Sequence, residues 1–208
     1  MVKDNHLQCR NILCEGFPDG DSPLWKKADR VFLQDVVTGE KPFLSTEFSA
    51  FRCDVSQIIY FLFAGEDDAV QSVFRLRDEP IYREDVFEVF IADENDLSNY
   101  KELEVSPHDV LFDGLISYGS DGERRLNMAY DIRDWKTQTT YYEEKHRITS
   151  VWAVPYAAFS TPPQNGTSWR INAFRIDHSI RGISLQAWQK TGEPNFHVPS
   201  AFGYLDFI

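Results

Sequence analysis

The stretch S-W-R-I-N-A-F-R-I-D, residues 168–177, alternates in a way that only an extended strand can use. Period-two counting puts Trp169, Ile171 and Ala173 on one face and Arg170, Asn172 and Phe174 on the other. A helix would scatter these residues around its axis, whereas a strand lays one face on a core and offers the second to a surface or a cleft. Similar runs rich in Val, Ile, Phe, Tyr and Trp recur along the chain, among them RVFLQDVV, QIIYFLFAG, VFEVFIA, KELEVS, RITSVWAVP, SLQAWQK and GYLDF. Clusters of Gly, Asp, Asn and Pro separate them, which is the punctuation of sandwich and barrel strands. Helical periodicity is weak. The two helix candidates are short: SPLWKKA, with Ser22 as N-cap and Pro23 at the first position, and YAAF after Pro155.

These patterns predict an all-β fold, an antiparallel β-sandwich of jelly-roll or immunoglobulin-like form with one or two short helices. With 208 residues and 42% apolar content the chain can bury a substantial core. No internal repeat or low-complexity linker divides it, so the expectation is a single domain over 1–208, with about residues 1–18 as an N-terminal extension. The excess of 33 acidic over 21 basic side chains gives a formal charge of −12, which repels phosphate backbones and anionic headgroups. Nucleic acid and membrane surfaces are therefore excluded as expected partners. No run of about 18 apolar residues is present, and the first residues lack the basic and apolar regions of a signal peptide. Cys9, Cys14 and Cys53 are an odd number and match no zinc spacing; they read as free thiols, with a Cys9–Cys14 bridge as the alternative.

Five stretches, taken in order, carry more: DGDSPLWKKA, YREDVFEVFIADENDLSNYKELEVSP, VWAVPYAAF, WRINAFRID and FHVPSAFGYLDF. Together they resemble carbohydrate-binding module family 9, including its family 9-like, DOMON-like β-sandwich members. The resemblance implies a non-catalytic protein of carbohydrate catabolism that takes a mono- or oligosaccharide and needs no cofactor, with structural calcium possible. It also implies an extracellular or periplasmic setting and association with glycoside hydrolases. Family members hold a sugar between two aromatic rings, and the chemistry is general: a pyranose offers C–H faces to a ring and a rim of hydroxyls to polar groups.

Carried over by residue, the resemblance places the two rings at Tyr82 and Phe196, at one end of the sheets, with Glu88 as a polar ligand and His197 beside the second ring. Where sugar-gripping members carry Arg-x-Asn this chain reads Glu104-Val105-Ser106, exchanging a five-donor guanidinium for an acceptor. Glu104, Ser106 and Asn172 complete the expected ligand set. Glu102 shares a face with Glu104 and is a further candidate. A solvated outer face accounts for that pair equally well, whereas Glu88 interrupts an apolar run in which an unpaired charge is expensive.

Asp93, Asn95 and Asp96 supply hard oxygens of the kind calcium takes, without EF-hand spacing, in what otherwise reads as a solvated acidic hairpin. Asp85 and Glu88, as a hydrolase pair, lie three residues apart and so point to opposite faces. Met128 and five histidines offer the atom types of a haem site without a pattern that joins them. The alternatives to sugar binding are a hydrolase-associated or weakly hydrolytic domain, and a degenerate module used for protein contact.

Overall fold

The structure, a computed structural model, describes residues 5–208. Its strands are β1 (His6–Asn11), β2 (Arg30–Phe32), β3 (Gln34–Asp35), β4 (Thr46–Cys53), β5 (Ile58–Glu66), β6 (Val86–Ala92) and β7 (Asn99–Val105). They continue with β8 (Leu111–Tyr118), β9 (Arg124–Asn127), β10 (Lys136–Tyr142), β11 (Arg147–Pro155), β12 (Ser168–Ser179), β13 (Gly182–Ala187) and β14 (Gly203–Phe207). Two sheets result. The first, called the cleft sheet below, runs β9-β8-β7-β6-β12; beyond β12, β14 pairs with one half of the strand and β13 with the other. The second, the back sheet, runs β10-β11-β5-β4.

Strand β1 belongs to both. His6–Cys9 pair in parallel with β14 of the cleft sheet, and Arg10 and Asn11 pair in parallel with β4 of the back sheet. This pairing adds two parallel contacts to the otherwise antiparallel sandwich and makes residues 6–11 a seam between its sheets. The reason is that β14, and β4 at Phe51 and Arg52 beyond its pairing with β2, leave edge positions that a strand crossing the gap satisfies.

The faces of the cleft sheet follow the predicted alternation. Trp169, Ile171 and Ala173 of β12, Phe87, Val89 and Ile91 of β6, and Leu103 and Val105 of β7 point inward. They meet Phe48, Ile59, Phe61, Phe63, Ile148, Trp152 and Val154 of the back sheet in one buried cluster. Phe63 is the ring that joins the layers, stacked on Phe87 across the gap at 4.9 Å and tilted against Trp152 at 5.3 Å. The back sheet is covered on its outer side as well, by Ile12, Cys14, Trp25 and Ala28. This second cover explains why β5 and β11 read as nearly continuous apolar runs instead of alternating. All three cysteines are free and buried, and burial pushes the Cys9 thiol up.

Arg175 closes one end of the sandwich. It lies on the inward face of β12, where its guanidinium donates to Asp67 (2.8 Å), Asp177, Thr46 Oγ1 (3.0 Å) and the Glu66 carbonyl (2.8 Å). Gly65 leaves the room, since a Cβ there would sit 2.8 Å from the Arg175 nitrogen. Both expected helices are single 3-10 turns, at Pro23–Lys27 and Tyr156–Ala158; Ser22 caps the first by accepting the Leu24 N–H at 3.4 Å.

Truncating Phe63 to Ala should cost about 3–5 kcal/mol through a cavity between the layers. Arg175→Ala should cost a similar amount by stranding two buried carboxylates. Urea denaturation at neutral pH measures both, and a loss below about 1 kcal/mol in either variant would contradict the role of that side chain in joining the sheets.

Candidate binding cleft

Outward from the same strands, the even-numbered residues of β6, β7 and β8 form the floor of a cleft of about 310 Å³. It lies on the outer face of the cleft sheet and not at the end of the sandwich, which corrects the expected location. The register explains the composition: Glu88 of β6 stands opposite Glu104 of β7 and opposite Phe174 of β12. Glu104 stands opposite Phe112 of β8, and Glu102 opposite Gly114. At Gly114 a Cβ would come within 2.5 Å of Leu126 Cδ1, so the missing side chain lets Leu126 of β9 fold over β8 into the cleft wall.

Two loops raise the walls. In the 3-10 turn Ile81–Arg83 the fully buried Ile81 packs with Val86, Val110 and Phe112, and this anchor turns Tyr82 outward to the rim. Tyr82 is 45% exposed and meets Phe112 edge to face at 6.4 Å. On the other side, residues 193–198 lie across the sheet. Phe196 is 8% exposed and stacks on Phe174 at 4.4 Å, forming a wall and not a free plate. His197 stacks on Phe90, bonds through Nδ1 to the Tyr100 hydroxyl at 2.9 Å, and brings Nε2 to 3.6 Å from Glu102 Oε1. The Tyr118 hydroxyl donates to the His197 carbonyl at 3.3 Å, which fixes the segment.

Of the residues expected to bind, Tyr82, Glu88, Glu104, Phe196 and His197 line this one cleft. Ser106 and Asn172 do not. Strand β7 ends at Val105, so Ser106 turns into the hairpin, where its hydroxyl accepts the N–H groups of His108 and Val110, both at 3.2 Å. Asn172 is fully buried; its amide donates to the Gln189 carbonyl at 2.8 Å and its oxygen accepts the Ala173 and Gln189 N–H groups. The pair on β7 that faces the cleft is thus Glu102 with Glu104, not Glu104 with Ser106. Strand geometry held this signal, because residues two apart share a face. Phe112, Ile116, Arg124 and Leu126 of β8 and β9 also line the cleft and lie outside the expected set; in L-F-D-G-L-I-S-Y the Asp113-Gly114 pair interrupts the strand pattern that would have flagged them.

The acidic hairpin is engaged elsewhere. Asp93 is buried against Lys101 and accepts the Thr161 N–H at 3.1 Å. Asn95 donates to the Ser168 carbonyl at 3.0 Å, and Asp96 accepts from Ser98 and Asn99. Each expected calcium ligand there has a partner within the protein. Asp85 faces away from the cleft, accepting the N–H groups of Gln71 and His178, and Met128 is half exposed.

The electrostatics of the floor are unusual. Glu88, Glu102 and Glu104 are 2%, 6% and 1% exposed, and one oxygen of each lies within 4.8 Å of the others. Among the described residues, no N–H or hydroxyl donor reaches Glu88 Oε1 or either oxygen of Glu104. Burial first, then the neighbouring carboxylates, push Glu88 and Glu104 well above the usual carboxylate range. Glu102 is pushed up to about 7 by burial, against the opposing pull of Arg124 at the rim. An acid whose folded pKa exceeds its unfolded value is bound more tightly by its proton in the native state, so its contribution to stability is lost as pH rises through that interval.

The family model for carbohydrate-binding family 9 matches residues 30–207. The chain belongs to that family. A curated relative, an extracellular protein of Arthroderma benhamiae, is 27% identical over 190 residues, covering 83% of this chain and 82% of the relative. Among solved structures, a protein of Bacteroides uniformis for which carbohydrate binding is inferred superposes with a TM-score of 0.77 at 17% identity, covering 98% of this chain and 99% of that one. A family 9 module of Caldicellulosiruptor kristjanssonii in complex with glucose superposes with a TM-score of 0.63 at 14% identity, covering 97% and 95%. The same organism's module with cellotriose gives 0.62, also at 14% identity, over 97% and 93%. These likenesses establish the family 9 sandwich for this chain.

Between pH 5 and pH 7.5 the wild-type family 9 domain should lose stability relative to Glu102→Gln, by roughly 2 kcal/mol, because the Glu102 proton is held up to a pH of about 7 in the folded state alone. Urea midpoints of the two proteins at both pH values check this. A difference that does not change with pH would show Glu102 to be ionised and compensated throughout the interval.

Proposed function

We propose that this protein binds a carbohydrate without transforming it, in the cleft floored by Glu88, Glu102 and Glu104 and walled by Tyr82 and Phe196. The observation that carries the reading is that five side chains from three distant parts of the sequence converge on one cleft of ligand size. Exposed Tyr82 offers a ring to a C–H face, while the apolar wall of Phe112, Ile116 and Phe196 removes water from the other side. Carboxylates below, with His197 and Arg124 as the basic groups of the lining, address the hydroxyl rim.

The grip differs from a slot between two free rings. Phe196 is already stacked on Phe174, so Tyr82 is the ring left to close on a ligand. The complexes with glucose and cellotriose formed by the Caldicellulosiruptor module support a mono- or oligosaccharide as the ligand class. The extracellular Arthroderma relative supports a setting outside the cell. No helix among the described residues is long and apolar enough to cross a membrane, and the charge of −12 disfavours nucleic acid. The reading requires no cofactor.

Isothermal titration with a panel of neutral and amino-substituted oligosaccharides should give a saturable heat for at least one member. Tyr82→Ala should weaken that binding about ten-fold, or roughly 1.4 kcal/mol, with an unchanged thermal midpoint. No heat from any sugar with the folded protein would overturn the reading. Sustained turnover of a synthetic glycoside that Glu88→Gln abolishes would replace it with a hydrolytic one.

A further inference from the structure

Three neighbouring carboxyl groups, at the bottom of a largely apolar cleft, need an explanation that neutral hydroxyl recognition does not supply. A neutral sugar brings donors and no charge, so the cost of ionising three buried neighbours stays uncompensated. One oxygen of each glutamate lies within 4.8 Å of the others. Among the described residues, Glu88 Oε1 and both oxygens of Glu104 remain without an N–H or hydroxyl donor, although these side chains are almost completely buried. They face the cleft, not the core.

Resting on the carbohydrate reading, we propose that the floor of the cleft is an ammonium subsite and that the preferred ligand is a sugar carrying a protonated amine, such as an oligomer of a 2-amino-2-deoxyhexose. One –NH₃⁺ group offers three N–H donors from a single point and a positive charge, against three acceptor-only carboxylates. The surrounding rings favour the same ligand: Tyr82, Phe112 and His197 line the space around the carboxylates, and aromatic faces attract an ammonium. A bare divalent ion fits less well, since calcium takes six to eight oxygens and the remaining lining is mostly aromatic and aliphatic. Asn195, which brings an amide to the lining, has its side-chain oxygen occupied by the His197 N–H at 3.0 Å.

Proton balance follows. The groups facing the floor are the three glutamates, His197 from the closing segment, Tyr100 beneath it, Tyr82 at the rim and Arg124 from β9. Carboxyl protons held in the empty cleft leave to solvent when the ammonium enters, so binding at neutral pH releases protons.

Three β-1,4-linked trimers separate the possibilities: the glucosamine trimer, its fully N-acetylated form and cellotriose, which share a backbone and differ at the 2-position. Each is titrated calorimetrically at pH 6.5 in two buffers of different ionisation enthalpy, alongside calcium chloride alone. The expected result is at least ten-fold tighter binding of the glucosamine trimer, a buffer-dependent heat that reports proton release, and loss of the preference in Glu104→Gln and Glu88→Gln. Equal or tighter binding of cellotriose or the acetylated trimer overturns the ammonium subsite and leaves carbohydrate binding standing. Saturable heat from calcium chloride without a preference for the amine makes the floor a metal site and also overturns the proposal. Silence from all three trimers and from every other sugar removes the carbohydrate reading itself. If the variants do not fold, the wild-type ranking of the trimers still decides.

Discussion

Register is the constraint on which the rest depends. In β6, β7 and β12 every residue is committed to one of two faces, and a slip by one position would exchange Val89 and Leu103 for Glu88 and Glu104. The chain would then place carboxylates between the layers and valine in the cleft. Two inward contacts hold the register against this. Phe87 stacks on Phe63 across the gap, and Arg175 is surrounded by oxygens from β4, β5 and its own strand. A positive charge buried so completely has few places to sit, and that narrowness gives the latch its specificity.

The cleft sheet is unusual in being covered on both faces by different means. Its inner face is sealed by the back sheet, while its outer face is partly roofed by residues 193–202, where Phe196 and Phe202 join Phe90, Tyr100 and Phe174. The roof stops short of the glutamates. Apolar cover up to their edge is what lowers the local dielectric and keeps them protonated beyond the ordinary range, so the same segment that stabilises the sheet sets the chemistry of the site.

Much of the fold is legible in the sequence because strand signals are local. The apolar runs at 147–155 and 203–207 have the bounds of β11 and β14, and the run at 86–92 has those of β6. The strands that escape such a reading have weak local signatures: β10, K-T-Q-T-T-Y-Y, is a polar edge; β8 is interrupted by Asp113 and Gly114; β1 is short and defined by partners at the far end of the sequence. The positions of the candidate residues divide the same way. Tyr82, Glu88 and Phe196, placed by family resemblance, line one cleft, whereas Ser106 and Asn172 lie outside it because a strand end and a backbone bridge to Gln189 are tertiary facts that alternation does not encode.

Strand β1 has a consequence for how the sandwich comes together. Its two parallel partners are β4, some forty residues on, and β14, at the other end of the fold. The back sheet can assemble from neighbours in sequence, β4 with β5 and β10 with β11, before the seam exists. Closure between the sheets waits for the most distant pairing in the chain, the kind that costs the most loop entropy and forms slowly. Until then the edge of β14, and the end of β4 that β2 does not cover, invite other strands, so the interval before β1 docks is when this protein is most vulnerable to association with its own copies.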